Sequence, residues 1–146
     1  MIYFHADRIV FKIQNQRKIS DWLNKIIYHY KRILGEINVI FCSDEYILEM
    51  NQTHLNHDYY TDIITFNFNH FEYVSGDLYV SVDRVKENAE EFNVTFNQEI
   101  QRVLVHGLLH LLGFNDTTDQ EEAEIRKLEN HWLQILENEF LNPKDS

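Results

Sequence analysis

Apolar residues recur along this chain with two periods, and together they predict nine secondary-structure elements. Stretches with apolar residues three or four positions apart are typical of helices that pack one face on a core. Short runs rich in β-branched and aromatic residues are typical of strands. The predicted strands are 9–13, 37–42, 63–68 and 76–82. The predicted helices are 18–34, 43–50, one from Ser81 or Asp83 through Phe92, 96–112 and a closing helix after Thr118. Loops are predicted at 53–60 and 69–75.

Local signals mark where several of these elements begin and end. Gly35 is expected to end the first helix and Gly113 the fourth, because the left-handed residue at a helix C-terminus is usually glycine. Ser43 is expected to cap the short second helix. Thr118, with Glu121 three residues later, forms a capping box that begins the closing helix. That helix is expected to turn five apolar residues toward the core: Ala123, Leu128, Trp132, Ile135 and Leu136.

The interleaving of strands and helices predicts a layered α+β or α/β domain with one mixed sheet. A chain of 146 residues is long enough for one substantial core and too short for two ordinary domains. It contains no internal repeat, low-complexity run or linker-like stretch, and its one proline, Pro143, lies in a polar tail at about 141–146. We therefore expect residues 1–146 to form a single domain.

Composition and charge narrow the function classes. The net charge of −11 argues against broad, tight nucleic-acid binding, because phosphate contacts usually need basic side chains. A local basic patch or a bound metal ion would still supply positive charge. No apolar stretch is long enough to span a bilayer, and no signal peptide is recognisable. Cys42 is the only cysteine, so we expect a cytoplasmic protein and a small buried thiol in a strand.

His106 and His110 are the strongest candidates for chemistry. Residues four apart on a helix share one face, so both imidazoles can reach one metal ion. The alternative is a pair of hydrogen-bonded core histidines. Gly107 between them costs helix stability, which suggests that something needs room beside the backbone. The expected turn at Gly113 leads to Asp116, the first residue beyond it that is able to complete a metal site.

Two imidazoles and one carboxylate suit a hydrolytic zinc site with an open position for water. The same ligands also suit non-haem iron(II), although such sites usually lie on strands with a close His-x-Asp pair. We therefore expect zinc, one ion per chain, with a metal-bound water held by His106, His110 and Asp116 as the nucleophile. An ordinary zinc peptidase is disfavoured, because its general base would occupy the position of Gly107.

The run HGLLHLLGF at 106–114 resembles the signature of the YbeY family, the metal-dependent endoribonucleases of bacterial rRNA maturation. That signature, His-Gly-x-Leu-His-Leu-x-Gly-Tyr-x-His, has three histidine zinc ligands. TDIITF at 61–66, GDL at 76–78 and MN at 50–51 resemble further family segments, so the similarity covers about 37–130. The resemblance implies an α+β domain in a metalloprotease-like (zincin-like) arrangement. It also implies action on single-stranded RNA, 16S rRNA 3′-end maturation and ribosome quality control.

This chain departs from the family pattern at two positions. The third ligand position holds Asp116 instead of histidine, which adds negative charge and should raise the pKa of a zinc-bound water. Leu55 stands where the family usually has an arginine suited to binding phosphate. His54 and His57 lie nearby and are either partial substitutes or ordinary loop histidines. Two strand-end aspartates, Asp62 and Asp77, either orient ligands or hold backbone amides.

The leading hypothesis is a zinc-dependent endoribonuclease acting on rRNA precursors, with ribosomal proteins or a ribosomal subunit as further partners. A metallohydrolase for a peptide or small amide is the second. The third is a ribosome-assembly protein with a structural metal, which would need a fourth protein ligand such as His131 or a glutamate of the closing helix.

Overall fold

A four-stranded mixed sheet lies at the centre of the computed structural model, which describes residues 1–54 and 61–143. Its strands are β1 (Ile2–Ala6), β2 (Ile33–Cys42), β3 (Ile63–Asn67) and β4 (Tyr73–Ser81), in the spatial order β1-β2-β4-β3. β2 is parallel to both β1 and β4, whereas β3 is antiparallel to β4 and forms one edge. Such a sheet has to be covered on its apolar faces.

Five α-helices surround this sheet within the described residues: α1 (Gln16–His29), α2 (Asp44–His54), α3 (Val82–Phe92), α4 (Phe96–Leu111) and α5 (Asp119–Ile135). A short π-helical segment, Leu136–Leu141, extends α5. One mixed sheet with packed helices confirms the expected α+β class. None of the helices in the described part of the chain is both long and apolar enough to cross a membrane.

The main core fills the space between the sheet and the helices that cover one of its faces. Along β4, alternate residues Val74, Leu78 and Val80 are buried in this core, as the two-residue period of a strand requires. It also contains the inward residues of α1 and α4. A smaller cluster with Cys42, Ile47, Met50 and Ile64 packs with α2. Cys42 is fully buried, as expected from the sequence.

Two predicted elements near the N-terminus are wrong. The first strand is Ile2–Ala6 and not 9–13, because residues 2–6 pair with 37–41 of β2. The apolar residues of 9–13 pack on the core without joining the sheet. The first helix ends at His29 and not at 34, and Lys31 follows with φ of 59°. Ile33 and Leu34 fit a helix pattern equally well, but their pairing with Tyr73 and Val74 places them in β2.

Most of the predicted helix ends are confirmed. Ser43 accepts a hydrogen bond from the backbone N–H of Tyr46 at 3.1 Å, and Ser81 caps α3. The capping box at the start of α5 is present. Ala123 corrects one expectation, since it is exposed on α5, while Ile125 is buried in its place.

Candidate metal centre

Helix α4 holds the two histidines of the candidate site on one face. A capping box between Thr95 and Gln98 begins the helix, and buried apolar residues on its other faces fix it against the sheet. The Nε2 atoms of His106 and His110 lie 3.0 Å apart. Each side chain keeps about a quarter of its surface exposed, 26% and 25%. The two rings therefore stand together at the edge of the core with their nitrogens reachable from solvent.

The turn at Gly113 brings a carboxylate to these histidines. Gly113 has φ of 101°, and its N–H donates to the carbonyl of His110 at 3.0 Å. The N–H of Phe114 donates to the carbonyl of Leu109 at 3.0 Å, which completes a Schellman motif. Asp116 then lies with Oδ2 at 3.4 Å from Nε2 of His106 and 3.3 Å from Nε2 of His110. The three candidate ligand atoms thus form a nearly equilateral triangle.

This triangle fits a small divalent ion. With bonds of about 2.0–2.1 Å, tetrahedral zinc places neighbouring ligand atoms about 3.3 Å apart. The distances of 3.0, 3.3 and 3.4 Å match that separation. The three side chains are also the single group of at least three His, Cys, Asp or Glu residues, within the residues the structure describes, that is close enough to share an ion. Their donor atoms are those that zinc accepts in catalytic sites.

Glu129 of α5 orients one of these histidines. Its Oε2 lies 2.6 Å from Nδ1 of His106, and its Oε1 accepts a hydrogen bond from Nη1 of Arg102 at 2.9 Å. A carboxylate on Nδ1 favours the tautomer that carries its proton there. The lone pair of Nε2 then points toward the other candidate ligands. Glu129 is only 3% exposed, so this contact is shielded from water.

Burial and ion pairing have opposite effects on the pKa values of His106 and Glu129. Burial by itself would lower the pKa of His106, but the hydrogen bond to Glu129 and the nearby carboxylates outweigh it and raise that pKa above its usual value. Burial would raise the pKa of Glu129, but hydrogen bonds from His106 and Arg102 hold it below its usual value. The metal-free site therefore favours a protonated His106 beside an ionised Glu129.

Gly107 is explained by helix–sheet packing. A Cβ built at this position would lie 2.6 Å from Cδ1 of Ile63 and 3.3 Å from Cδ2 of Leu78. The room that the glycine provides is therefore used by β3 and β4, on the face of α4 turned toward the sheet. This close approach lets α4 lie directly against the strands.

The other candidate residues take different places. Asp62 is half-buried near His106, and burial raises its pKa. Asp77 lies on the opposite face of β4 from α4, where Asn38 donates to it at 3.3 Å, so it does not orient the candidate ligands. His131 is exposed and its ring packs on Trp132, away from the triangle. Leu55, His57 and the side chain of His54 lie outside the described residues.

A cavity of about 430 Å³ opens beside His106 and Asp116. Its walls come from α3, α4, α5 and the start of β3. Carboxylates, arginines and apolar side chains all line these walls. Among the lining residues are Asp62, Asn88, Phe92, Glu99, Arg102 and Arg126.

Arg102 and Glu99 are site residues that the sequence reasoning missed, and Glu129 was anticipated only as an unspecified glutamate of the closing helix. A usable signal existed on α4, where polar residues at 99, 102, 106 and 110 recur at helical spacing on an otherwise apolar helix. Glu129 gave no comparable signal, because it contacts His106 across 23 positions of sequence.

Fold and site together define a class: an α+β domain with three side chains, His106, His110 and Asp116, that could hold a metal ion. A model of the family described as Endoribonuclease YbeY matches residues 3–137. The chain therefore belongs to the YbeY family of endoribonucleases, which confirms the family expected from the sequence and makes it an enzyme of this nuclease class.

Individual relatives agree with this assignment. An Endoribonuclease YbeY of Flavobacterium psychrophilum is 41% identical over 93% of this chain and 96% of its own length. One of Cytophaga hutchinsonii is 43% identical over 92% and 94% of the two chains. The solution structure of TM1509 from Thermotoga maritima superimposes with a TM-score of 0.68 and 30% identity, covering 100% of this chain and 97% of that one.

Proposed function

We propose that this chain is a zinc-dependent endoribonuclease that cleaves single-stranded RNA, with His106, His110 and Asp116 as the metal ligands. Family membership supports the endoribonuclease activity. The observation that supports the ligand assignment is the triangle of Nε2, Nε2 and Oδ2 atoms at 3.0–3.4 Å. We further propose that the substrate is precursor rRNA, processed at the 16S 3′ end in the cytoplasm and in ribosome quality control.

The residues around the triangle have separate tasks in this proposal. A bound zinc ion would supply a water that ionises near neutral pH and would polarise the bond under attack. Glu129 keeps the proton on Nδ1 of His106, so Nε2 is the nitrogen that would bind the ion after losing its own proton. Arg102 holds Glu129 in place through Nη1 and contacts Asn130 through Nη2 at 2.8 Å. Asp116 would add a negative charge to the ligand set, which a histidine at this position would not.

A structural metal site is the weaker alternative. Structural zinc is normally closed by four protein ligands. Within the described residues, the cluster contains three, and Glu129 contacts His106 in a supporting position instead of joining the ligand atoms. The open side of the triangle therefore favours a site for water and substrate.

Substitution of Asp116 tests the ligand assignment. We expect purified wild type to hold one zinc per chain by elemental analysis and to cleave single-stranded RNA until a chelator is added. Asp116→Ala and His110→Ala should lose both zinc and cleavage, whereas Asp116→His should keep zinc, because imidazole replaces the carboxylate as a ligand. Asp119→Ala, on the first turn of α5, is the control and should behave like wild type.

Two results would contradict the proposal in different ways. Full zinc occupancy in Asp116→Ala would refute the third ligand. A zinc-saturated wild type that leaves rRNA precursors and unstructured RNA intact would refute the nuclease assignment.

A further inference from the structure

Glu99 is a buried carboxyl group in the cavity beside the candidate metal centre. Its residue is only 4% exposed, and it lines the cavity together with Asp62 and Phe92. Within residues 1–54 and 61–143, the Glu99 side chain makes no hydrogen bond or ion pair. Burial, with the nearby Asp62 as a second cause, raises the pKa of Glu99. The Glu99 side chain borders the cavity, so a ligand that enters the cavity can donate a hydrogen bond to its carboxyl group.

The charge of the cavity indicates which kind of ligand enters it. Five acidic residues line the walls against two arginines, and one of those, Arg102, is already paired with Glu129. Apart from Asp116, a candidate metal ligand, and Glu129, which is paired with Arg102, three acidic residues remain against Arg126, so this part of the cavity disfavours a phosphate group. Apolar side chains of Phe92, Val103 and Ile125 form the rest of the walls. A flat, uncharged ring with N–H donors can donate hydrogen bonds to the carboxyl oxygens and pack against the apolar side chains.

A second metal ion is a poor fit to the same cavity. Glu99 and Asp62 are not part of any group of three or more candidate ligands within the described residues. The volume of about 430 Å³ instead falls in the range of sites for small organic groups, about 300–1,000 Å³. Proteins that recognise single-stranded RNA commonly take one unstacked base into such a pocket.

We infer that this cavity binds an unpaired RNA base next to the phosphate at the metal centre, and that Glu99 accepts a hydrogen bond from the amino group of that base. The inference rests on the proposed endoribonuclease function. Guanine, adenine and cytosine each carry an exocyclic amino group that a carboxyl oxygen can accept. Uracil carries none, and its one N–H lies between two carbonyl oxygens that would face the acidic wall. The enzyme therefore prefers an amino-bearing base over uracil at one position of the substrate.

Binding of non-cleavable RNA tests this preference. The probes are single-stranded 2′-O-methyl tetranucleotides, each with G, A, C or U at one varied position, titrated against the zinc-loaded full chain by fluorescence anisotropy. At one position, we expect uracil to weaken binding on the order of tenfold relative to the best amino-bearing base. Glu99→Leu should abolish that difference. Glu124→Gln, which removes an exposed carboxylate of α5 outside this cavity, should keep it.

Stability measurements show whether Glu99→Leu is folded. Its Tm should equal or exceed that of wild type, because leucine removes the cost of burying a carboxyl group at this position. Equal affinity for all four bases at every position would overturn the inference, as would unchanged discrimination in a folded Glu99→Leu.

Parallel cleavage assays separate this inference from the proposed function. Cleavage of ordinary RNA without any base preference in binding would overturn the base site and leave the nuclease in place. Base-selective binding without cleavage would support the base site and refute the nuclease. Absence of both binding and cleavage would overturn both.

Discussion

At the scale of single residues, the contact between Glu129 and His106 is the feature that most distinguishes this site from a chance pair of histidines. The carboxylate is 3% exposed and bridges Nδ1 of His106 and Nη1 of Arg102. Removing one member of a buried charged group leaves the others uncompensated. Glu129 should therefore affect both zinc binding and folding, although it is not one of the three candidate ligands.

Glu129→Ala should weaken zinc binding by about 10–100-fold, the usual effect of losing a carboxylate behind a histidine ligand. It should also lower the free energy of unfolding by about 3 kcal/mol. This is the lower end of the range for broken buried pairs, because Arg102 and His106 remain 25% and 26% exposed. Competition with a chromogenic chelator and urea unfolding measure the two effects.

Glu129→Gln serves as the conservative variant, because its amide oxygen can still accept the Nδ1 proton. It should recover most of the zinc affinity and less of the stability. Glu124→Ala, on an exposed position of α5, is the matched control. Wild-type zinc affinity in Glu129→Ala would rule out the orienting role.

The sequence located part of this site at the residue scale. Helical spacing singled out His106 and His110, and the turn that follows pointed to Asp116. The expectation that Gly107 leaves room beside the backbone is confirmed, and Ile63 of the sheet occupies that room. The contact of Glu129 with His106 and the position of Glu99 were missed, because both depend on which helices face each other across the cavity, and no local pattern records that.

At the scale of elements, the junction between α4 and α5 decides whether the carboxylate reaches the histidines. The Schellman motif at Gly113 reverses the chain directly after His110, and the capping box at Thr118 starts the next helix. Asp116 lies on the short segment between these two fixed ends. The position of Asp116 is therefore fixed by the hydrogen bonds at the end of α4 and at the start of α5.

Gly113→Ala should destabilise the protein by about 1 kcal/mol, since φ of 101° is unfavourable for a residue with a Cβ. A Cβ there would meet no atom within 4 Å, so the cost comes from the backbone and not from a clash. If the turn shifts to relieve this strain, Asp116 moves with it and zinc affinity falls as well. Thermal unfolding and zinc titration measure the two quantities.

Gly113→Asn gives the comparison for this prediction, because asparagine tolerates positive φ better than alanine at helix ends. It should therefore lose less stability. Equal stability of wild type and Gly113→Ala would show that the turn conformation is not required.

The sequence predicted the types of the helices and strands more accurately than the residues at which they begin and end. Caps such as Ser43, Ser81 and Thr118 are local, since their side chains bond to backbone groups within three residues. The end of α1 and the start of β2 were misplaced because the apolar pair at 33–34 fits either period. The pairing of β2 with β4 places these two residues in the strand.

At the scale of the whole molecule, the net charge of −11 and the acidic cavity restrict how an RNA substrate approaches. The net charge therefore gives RNA phosphates little overall attraction to this chain. Under the proposed function, a bound metal ion and contacts to bases would compensate for this weak overall attraction.

The metal-free protein should be most stable at mildly acidic pH. His106 has a raised pKa in the folded state, so its contribution is complete below about pH 6.5 and is lost as pH rises through that raised pKa. Glu129 has a lowered pKa, so its contribution is present above about pH 4.5 and is lost as pH falls through that lowered pKa. The window in which both contribute fully lies near pH 5–6.

Zinc should move this optimum upward, because binding removes the proton from Nε2 of His106 and so strengthens as pH rises. Thermal unfolding between pH 4.5 and 9, with chelator and with excess zinc, checks both expectations. The stabilisation by zinc should grow above pH 7. A metal-free Tm that does not fall between pH 6 and 9 would contradict the role given to the His106–Glu129 pair.

The sequence by itself determined the α+β class, most helix caps, the family and the candidate ligands His106, His110 and Asp116, because each depends on residues close together along the chain. The tertiary structure decided the strand order, the end of α1, the reason for Gly107, and the positions of Glu129 and Glu99. These depend on contacts between distant segments, whose free energy is gained only when the helices pack on the sheet.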